Sequence, residues 1–371
     1  MSVESMSFLV MTVALLPLTG ILCVVMPWIQ RAGECFAVTV PVSAQSDPRI
    51  RGYKMRYTIV MAVLTAAMTA LVAGLAAAGV EGPMMIVFIV SLFVLLGVSF
   101  GLMLYYRSKV IALKRESGWQ AEGDLRATVI AEKDVPGPVA LGWEALNVPV
   151  ILATLVVSLI LYPAMPDKVP MHMDLMGNVN SWTDKGIGVV LFPVLTQAIV
   201  LASMIFSHWS IIRSKSATSA DAPVSTAYAY GLFAHAQSVL LVALGVLINL
   251  AFICMPLSFA GILTMGQAAL AVGLVALVAV VASIVVSLVY GQAGSRVIAR
   301  VADDGSMPTD DDAHWVAGVF YVNRDDPSLF LPERFGVGWT VNLGRPVVWA
   351  IMAAFVAVMV AFVVLSIVMV G

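Results

Sequence analysis

The chain has 371 residues, 61% of them hydrophobic and 11% charged, with 20 basic and 22 acidic side chains and a net charge of −2. A soluble domain carries about 25% charged residues, and the mean hydropathy of +0.98 is far on the apolar side. These values exclude a soluble enzyme, a disordered chain and a basic nucleic-acid binder, and they leave an all-α polytopic membrane protein.

Eight apolar stretches contain no charged residue: 8–28, 57–80, 84–105, 147–165, 187–206, 228–255, 259–290 and 347–370. A bilayer core of about 30 Å needs about 20 helical residues. Backbone in lipid must satisfy its own hydrogen bonds, so these stretches predict eight transmembrane helices. The fourth is short and is ended by Pro163 and Pro166, while the seventh is long enough to tilt or run on past the bilayer. The first lacks a basic leader and is closed by Trp28 and Arg31, so it is read as a span rather than a cleaved signal.

Every charged residue falls between these stretches. Of the 20 basic residues, all but Lys168 and Lys185 lie in alternate loops, after spans one, three, five and seven. The positive-inside rule makes those loops cytoplasmic and puts both termini outside. Cys35 then lies on the cytoplasmic side and Cys23 and Cys254 inside spans, which is no disulfide framework.

The organisation that follows has five parts. Residues 1–165 form a first four-helix half with its cytoplasmic loops, and 166–186 an extracytoplasmic loop. Residues 187–290 hold helices five to seven, 291–346 a cytoplasmic region containing a β-hairpin, and 347–371 the last helix. Residues 81–83 and 255–258 are tight connections. Residues 125–132 alternate like a strand, and 36–42 could add another. Aromatic and β-branched residues at 315–323 and 329–342 flank a polar turn at 324–328, which predicts one hairpin. Together they predict a small β-containing cytoplasmic cap. Asp303, Asp304 and Asp310–Asp312 read as a solvated acidic linker. Ser108-Lys-Val-Ile-Ala and Ser295-Arg-Val-Ile-Ala follow spans three and seven, as a four-plus-four duplication would place them; ordinary basic helix ends explain them equally.

The densest segment is the loop from Tyr162 to Lys185. Its prolines stiffen the backbone. His172 and Asp174 lie two apart and share a face of an extended chain, and Trp182 suits the membrane interface. A recognition surface made by Pro170, His172, Asp174, Gly177, Trp182 and Lys185 stands beside the plainer reading that these residues tie the loop to the helix ends. One His and one or two carboxylates are too few for a typical metal site. Within the spans, His235, Gln237, Asn249, Gln197 and Gln267 read as polar glue between helices. No Asp, Glu, Lys or Arg falls there, which weighs against a proton-coupled carrier. No metalloprotease, hydrolase or nucleotide-binding motif occurs.

The pattern Pro170-x-His172-x-Asp174-x-x-Gly177, followed by Trp182 and Lys185 before a span, resembles the signature of SdpI-like bacterial membrane proteins. A second pattern looks like an accessory domain of unknown function attached to such proteins. It comprises Trp315, Gly318, Tyr321, Asn323, Asp326, Pro327, Phe335, Gly336, Gly338 and Asn342. By itself this segment reads as turns and a folded hairpin, with Asn342 capping the last span, or as a surface for a cytosolic partner.

The resemblance implies immunity to a secreted antimicrobial peptide, and holding a transcriptional repressor at the membrane. The expected function is therefore a non-enzymatic protein of the bacterial cytoplasmic membrane. It would sense or resist an extracellular peptide or envelope signal and engage a cytosolic regulator, with no cofactor, no metal and no direct nucleic-acid contact. A permease for a small or peptide substrate is the alternative, and a metal-assisted membrane enzyme using His172 is the third.

Overall fold

A computed structural model describes residues 3–31, 33–121, 135–173, 179–216, 223–298 and 310–370. The strand expected at 125–132 lies outside the described residues, as do Asp303, Asp304, Asp174 and Gly177. The long helices are α1 (Val3–Ile29), α2 (Pro48–Ala77), α3 (Glu81–Glu116), α4 (Asn147–Leu161), α5 (Ile187–Ile212), α6 (Pro223–Phe252), α8 (Met265–Tyr290) and α10 (Pro346–Val370). The short helices α7 (Cys254–Phe259) and α9 (Ser295–Ile298) lie between them. Among the described residues, seven helical segments are long and apolar enough to cross a membrane. The eighth expected span falls on α1, a helix of 27 residues. The protein is therefore a multi-pass membrane protein.

α1 packs on α2 and α3 on one side and on α8 on the other. A Cβ on Gly20 would lie 2.1 Å from the Thr65 side chain, so glycine is what lets α1 approach α2. α4, α5, α6 and α8 form the second group, with α10 against α5. Exposed apolar side chains such as Phe93, Ile160 and Val368 face outward, as lipid contact requires.

Three expectations change. The fourth span is longer than expected, because the 3₁₀ turn Leu141–Leu146 leads straight into α4 and the apolar segment runs Leu141–Ala164. This brings Glu144 into a span. The seventh helix starts at Met265 rather than 259, and 255–258 is helix rather than turn. α7 ends at Phe259, Gly261 takes φ +72°, and α8 restarts with a reciprocal cap between Thr264 and Gln267. Gln267 is thus a cap and not glue between helices. The segment after 314 makes two hairpins instead of one. β5 (Trp315–Val316) pairs with β6 (Phe320–Tyr321), and β7 (Phe330–Pro332) with β8 (Trp339–Val341). Near Phe36, β1 (Glu34–Cys35) and β2 (Val38–Thr39) pair around positive φ at Phe36 and Ala37.

These three hairpins pack together as one lobe beyond α3. Phe335 lies between the rings of Phe36 (6.4 Å) and Tyr57 (6.1 Å). At the other end of the bundle, β3 (Lys168–Met173) and β4 (Val179–Asp184) form the hairpin between α4 and α5. The duplicated motifs sit on differently built helices. The first continues α3 without a break, while the second follows a break at Gly291, φ +66°, and forms α9.

Candidate functional site

Three places hold chemistry. The first is the β3–β4 hairpin. Its register pairs Lys168 with Asp184, Val169 with Thr183 and Pro170 with Trp182, and becomes irregular on both sides of His172. Val169 is buried with Met165, Val189 and Phe259, which seats the hairpin on α5 and α7. Lys185 serves as the tie: Nζ donates to Met165 O at 2.8 Å and Pro163 O at 3.3 Å, and lies 5.1 Å over the Tyr162 ring. His172 and Trp182 are exposed. Asn180 Oδ1 accepts from His172 Nδ1. The expected partnership of His172 with Asp174 lies outside the described residues.

The second is a file of buried polar groups among α4, α5 and α6. His208 Nδ1 lies 3.0 Å from Glu144 Oε1, and its Nε2 lies 3.0 Å from Val139 O. Asn147 Nδ2 donates to Glu144 O (3.1 Å) and Oε2 (3.3 Å), and accepts at Oδ1 from Asn249 Nδ2 at 2.7 Å. Gln197 Nε2 donates at 2.7 Å to both Thr154 Oγ1 and Asn249 O. From His208 to Gln197 is about 16 Å along α5 at 1.5 Å per residue. All of these side chains are essentially inaccessible.

The direction of each bond is set by its neighbour. Thr154 gives its hydrogen to Val150 O, so it accepts from Gln197. The outcome is that Gln197 Oε1, Asn249 Oδ1 and Ser158 Oγ have no partner among the described residues. The expectation that no Asp, Glu, Lys or Arg lies within the spans is overturned by Glu144, and His208 adds a second histidine-bearing helix to the one that carries His235. A charge-free window excludes Glu144 by definition. Gln197 and Asn249 do act between helices, as expected. His235 instead meets a connecting segment, Gly137 O, at 3.0 Å.

The third is the centre of the β-rich lobe. Arg334 is 1% exposed. It donates to Ala37 O (3.1 Å) and Thr39 Oγ1 (2.9 Å) and pairs with Asp311 and Asp312. Its Nε lies 3.5 Å from Glu34, and its guanidinium lies 4.9 Å over Trp315. Lys114 bonds Asp310 and Asp312 at 2.7 Å, and Arg31 pairs with Glu34. Asp310–Asp312 are therefore paired counter-charges of Lys114 and Arg334, with Asp310 at the surface and Asp311 and Asp312 part-buried, rather than a free acidic linker. Burial pushes the Asp312 carboxyl up, but Arg334 and Lys114 outweigh it and hold it at about 2.

The motif residues around Arg334 are largely interior. Asn342 Nδ2 donates to Asn323 O, Asp326 O and Ser328 O, and its Oδ1 accepts from Asn323 N and Gly344 N. It joins the two hairpins through its side chain rather than capping α10 with it. Asp326 binds Lys215 (2.8 Å), Tyr321 Oη (3.0 Å) and Ser328 N. Gln292 Nε2 donates to Glu333 O and Gly338 O, and its Oε1 accepts from Gly338 N, which fixes the β7–β8 turn containing Gly336. Gly318 packs on Ala37 and Arg107, and Pro327 is exposed.

α5 joins the first place to the third. It begins three residues after β4. At its far end Lys215 N donates to Phe330 O at 2.9 Å, and Trp209 meets Phe330 edge-on at 5.2 Å.

Residues 150–196 match a domain of unknown function (DUF1648), which takes in most of α4, the β3–β4 hairpin and the start of α5. Residues 324–349 match a family of unknown function (DUF5808), which takes in β7, β8 and the Asn342 contacts. No curated protein matches the chain, and no solved structure does.

Proposed function

We propose that this chain is a non-enzymatic, eight-span protein of the bacterial cytoplasmic membrane, with both termini outside. Its β3–β4 hairpin meets an extracytoplasmic antimicrobial peptide or envelope signal, and its β-rich lobe, on the cytoplasmic side, engages a regulator. DUF1648 is found in SdpI-like membrane proteins, which supports the immunity or signalling class. The observation that carries the reading is α5: it starts three residues after the exposed hairpin, and just past its far end Lys215 N donates to Phe330 O of β7 in the lobe. A ligand that shifts the hairpin would act on the lobe through that helix. The exposed His172, held by Asn180, and the exposed Trp182 supply a polar and an aromatic contact for a peptide.

Expression of the protein should protect sensitive cells from a membrane-active peptide. His172→Ala should weaken that protection several-fold without changing membrane abundance. Equal protection by the variant would remove the hairpin from the mechanism. The buried file in α4–α6 favours permease activity as a second reading, since polar groups inside spans line substrate and ion paths. Substrate flux in proteoliposomes that His172→Ala leaves intact would select it.

A further inference from the structure

Glu144 and His208 are 2% and 0% exposed and sit at the lobe end of α4 and α5, apart from the hairpin on which the functional reading rests. Val139 O can only accept, so His208 Nε2 carries a hydrogen. The 3.0 Å approach of Nδ1 to Glu144 Oε1 then requires a second one. It lies either on Nδ1, facing a carboxylate, or on Oε1, facing a neutral ring. Both arrangements hold the same number of protons and give the pair zero net charge. Without that hydrogen a nitrogen lone pair would face a carboxylate oxygen, and an unbalanced negative charge would be buried in the bundle.

The surroundings supply no substitute for it. From α4, Asn147 Nδ2 donates to Glu144 Oε2. From the segment before α4 come Val139 O, against the ring, and Val139 N, which is taken by Ser238 Oγ of α6. His235 of α6 faces Gly137 O. Among the described residues no lysine, arginine or further carboxylate bonds either member. The file beyond ends in the unpartnered oxygens of Asn249, Gln197 and Ser158. The amide oxygens of Asn249 and Gln197 can only accept, while the Ser158 hydroxyl can also donate.

We propose that Glu144 and His208 form a proton-binding site inside the membrane-spanning bundle. It takes one proton from hydronium, which becomes water, and passes from a net charge of −1 to zero as an N–H or O–H bond forms. This goes beyond peptide sensing and gives the chain a buried proton-binding site.

The test uses the full chain in lipid nanodiscs with ¹⁵N-labelled histidine, which is tractable because the chain has four histidines. The wild-type spectrum should show His208 Nε2 protonated and Nδ1 in a strong hydrogen bond to a shared proton, lost as one unit on alkalinisation. Between the acid and alkaline limits, Glu144→Gln should take up one proton fewer per chain than the wild type and should return Nδ1 to an ordinary neutral-ring signal. A wild-type Nδ1 with no hydrogen-bonded proton at any pH would overturn the proposal, and so would equal uptake by the two proteins. Displacement of the shared proton by sodium at constant pH would overturn it in favour of a metal-cation site. The wild-type spectrum decides even where the variant does not fold.

Discussion

Arg334 shows how a single residue organises this protein. A guanidinium taken out of water costs several kcal/mol unless paired, and here Glu34, Asp311 and Asp312 converge on it from two separate loops. Nothing in its local sequence marks it, since an arginine between two strands reads as a surface charge. Glu333, its neighbour, behaves oppositely, because burial alone pushes its carboxyl from 4.5 up to about 7. A carboxyl raised on folding stabilises the fold fully below about 4.5, and that contribution is lost as pH rises through 7. Glu333→Gln should therefore flatten the fall in thermal midpoint across that window, worth up to about 3 kcal/mol at 1.36 kcal/mol per pH unit. Scanning fluorimetry of detergent-purified protein at stepped pH would show it, and an unchanged slope would refute it.

At the scale of elements, the apolar periodicity located the helices but not their breaks. The run at 259–290 carries no charge, so hydropathy alone starts the seventh helix at 259, although Gly261 and the Thr264–Gln267 cap place its start at Met265. The lobe hairpins were blurred for a related reason. Strands of two or three residues are shorter than any alternation can register, and their turns rest on backbone geometry. At Gly318 φ is +75°, and an added Cβ would lie 2.7 Å from Ala37 Cβ. Gly318→Ala should cost about 1–3 kcal/mol, from the left-handed backbone and the close contact together. A thermal midpoint equal to the wild type would show that β5–β6 does not depend on that turn.

For the whole molecule, the distribution of basic residues makes a topology claim that the helix count does not test. A phosphatase-type reporter fused after Gly371 should be active on the outside, while activity only in the cytoplasm would invert the map. The same map assigns the Arg334 cluster and the Glu144–His208 pair to the cytoplasmic end, and the β3–β4 hairpin to the outer end.

Composition and charge placement by themselves determined that the chain is a multi-pass helical membrane protein, and approximately where its helices lie. They could do so because the bilayer imposes a length and a polarity on each segment independently of its neighbours. The outer His172 segment was also legible, as a run of prolines and polar residues between two spans. Only the tertiary structure decided that Lys185 ties that segment down, that Asp311 and Asp312 serve Arg334, and that Glu144 meets His208. Those pairings join residues from 20 to 64 apart in sequence, and which charges come together depends on how the helices pack.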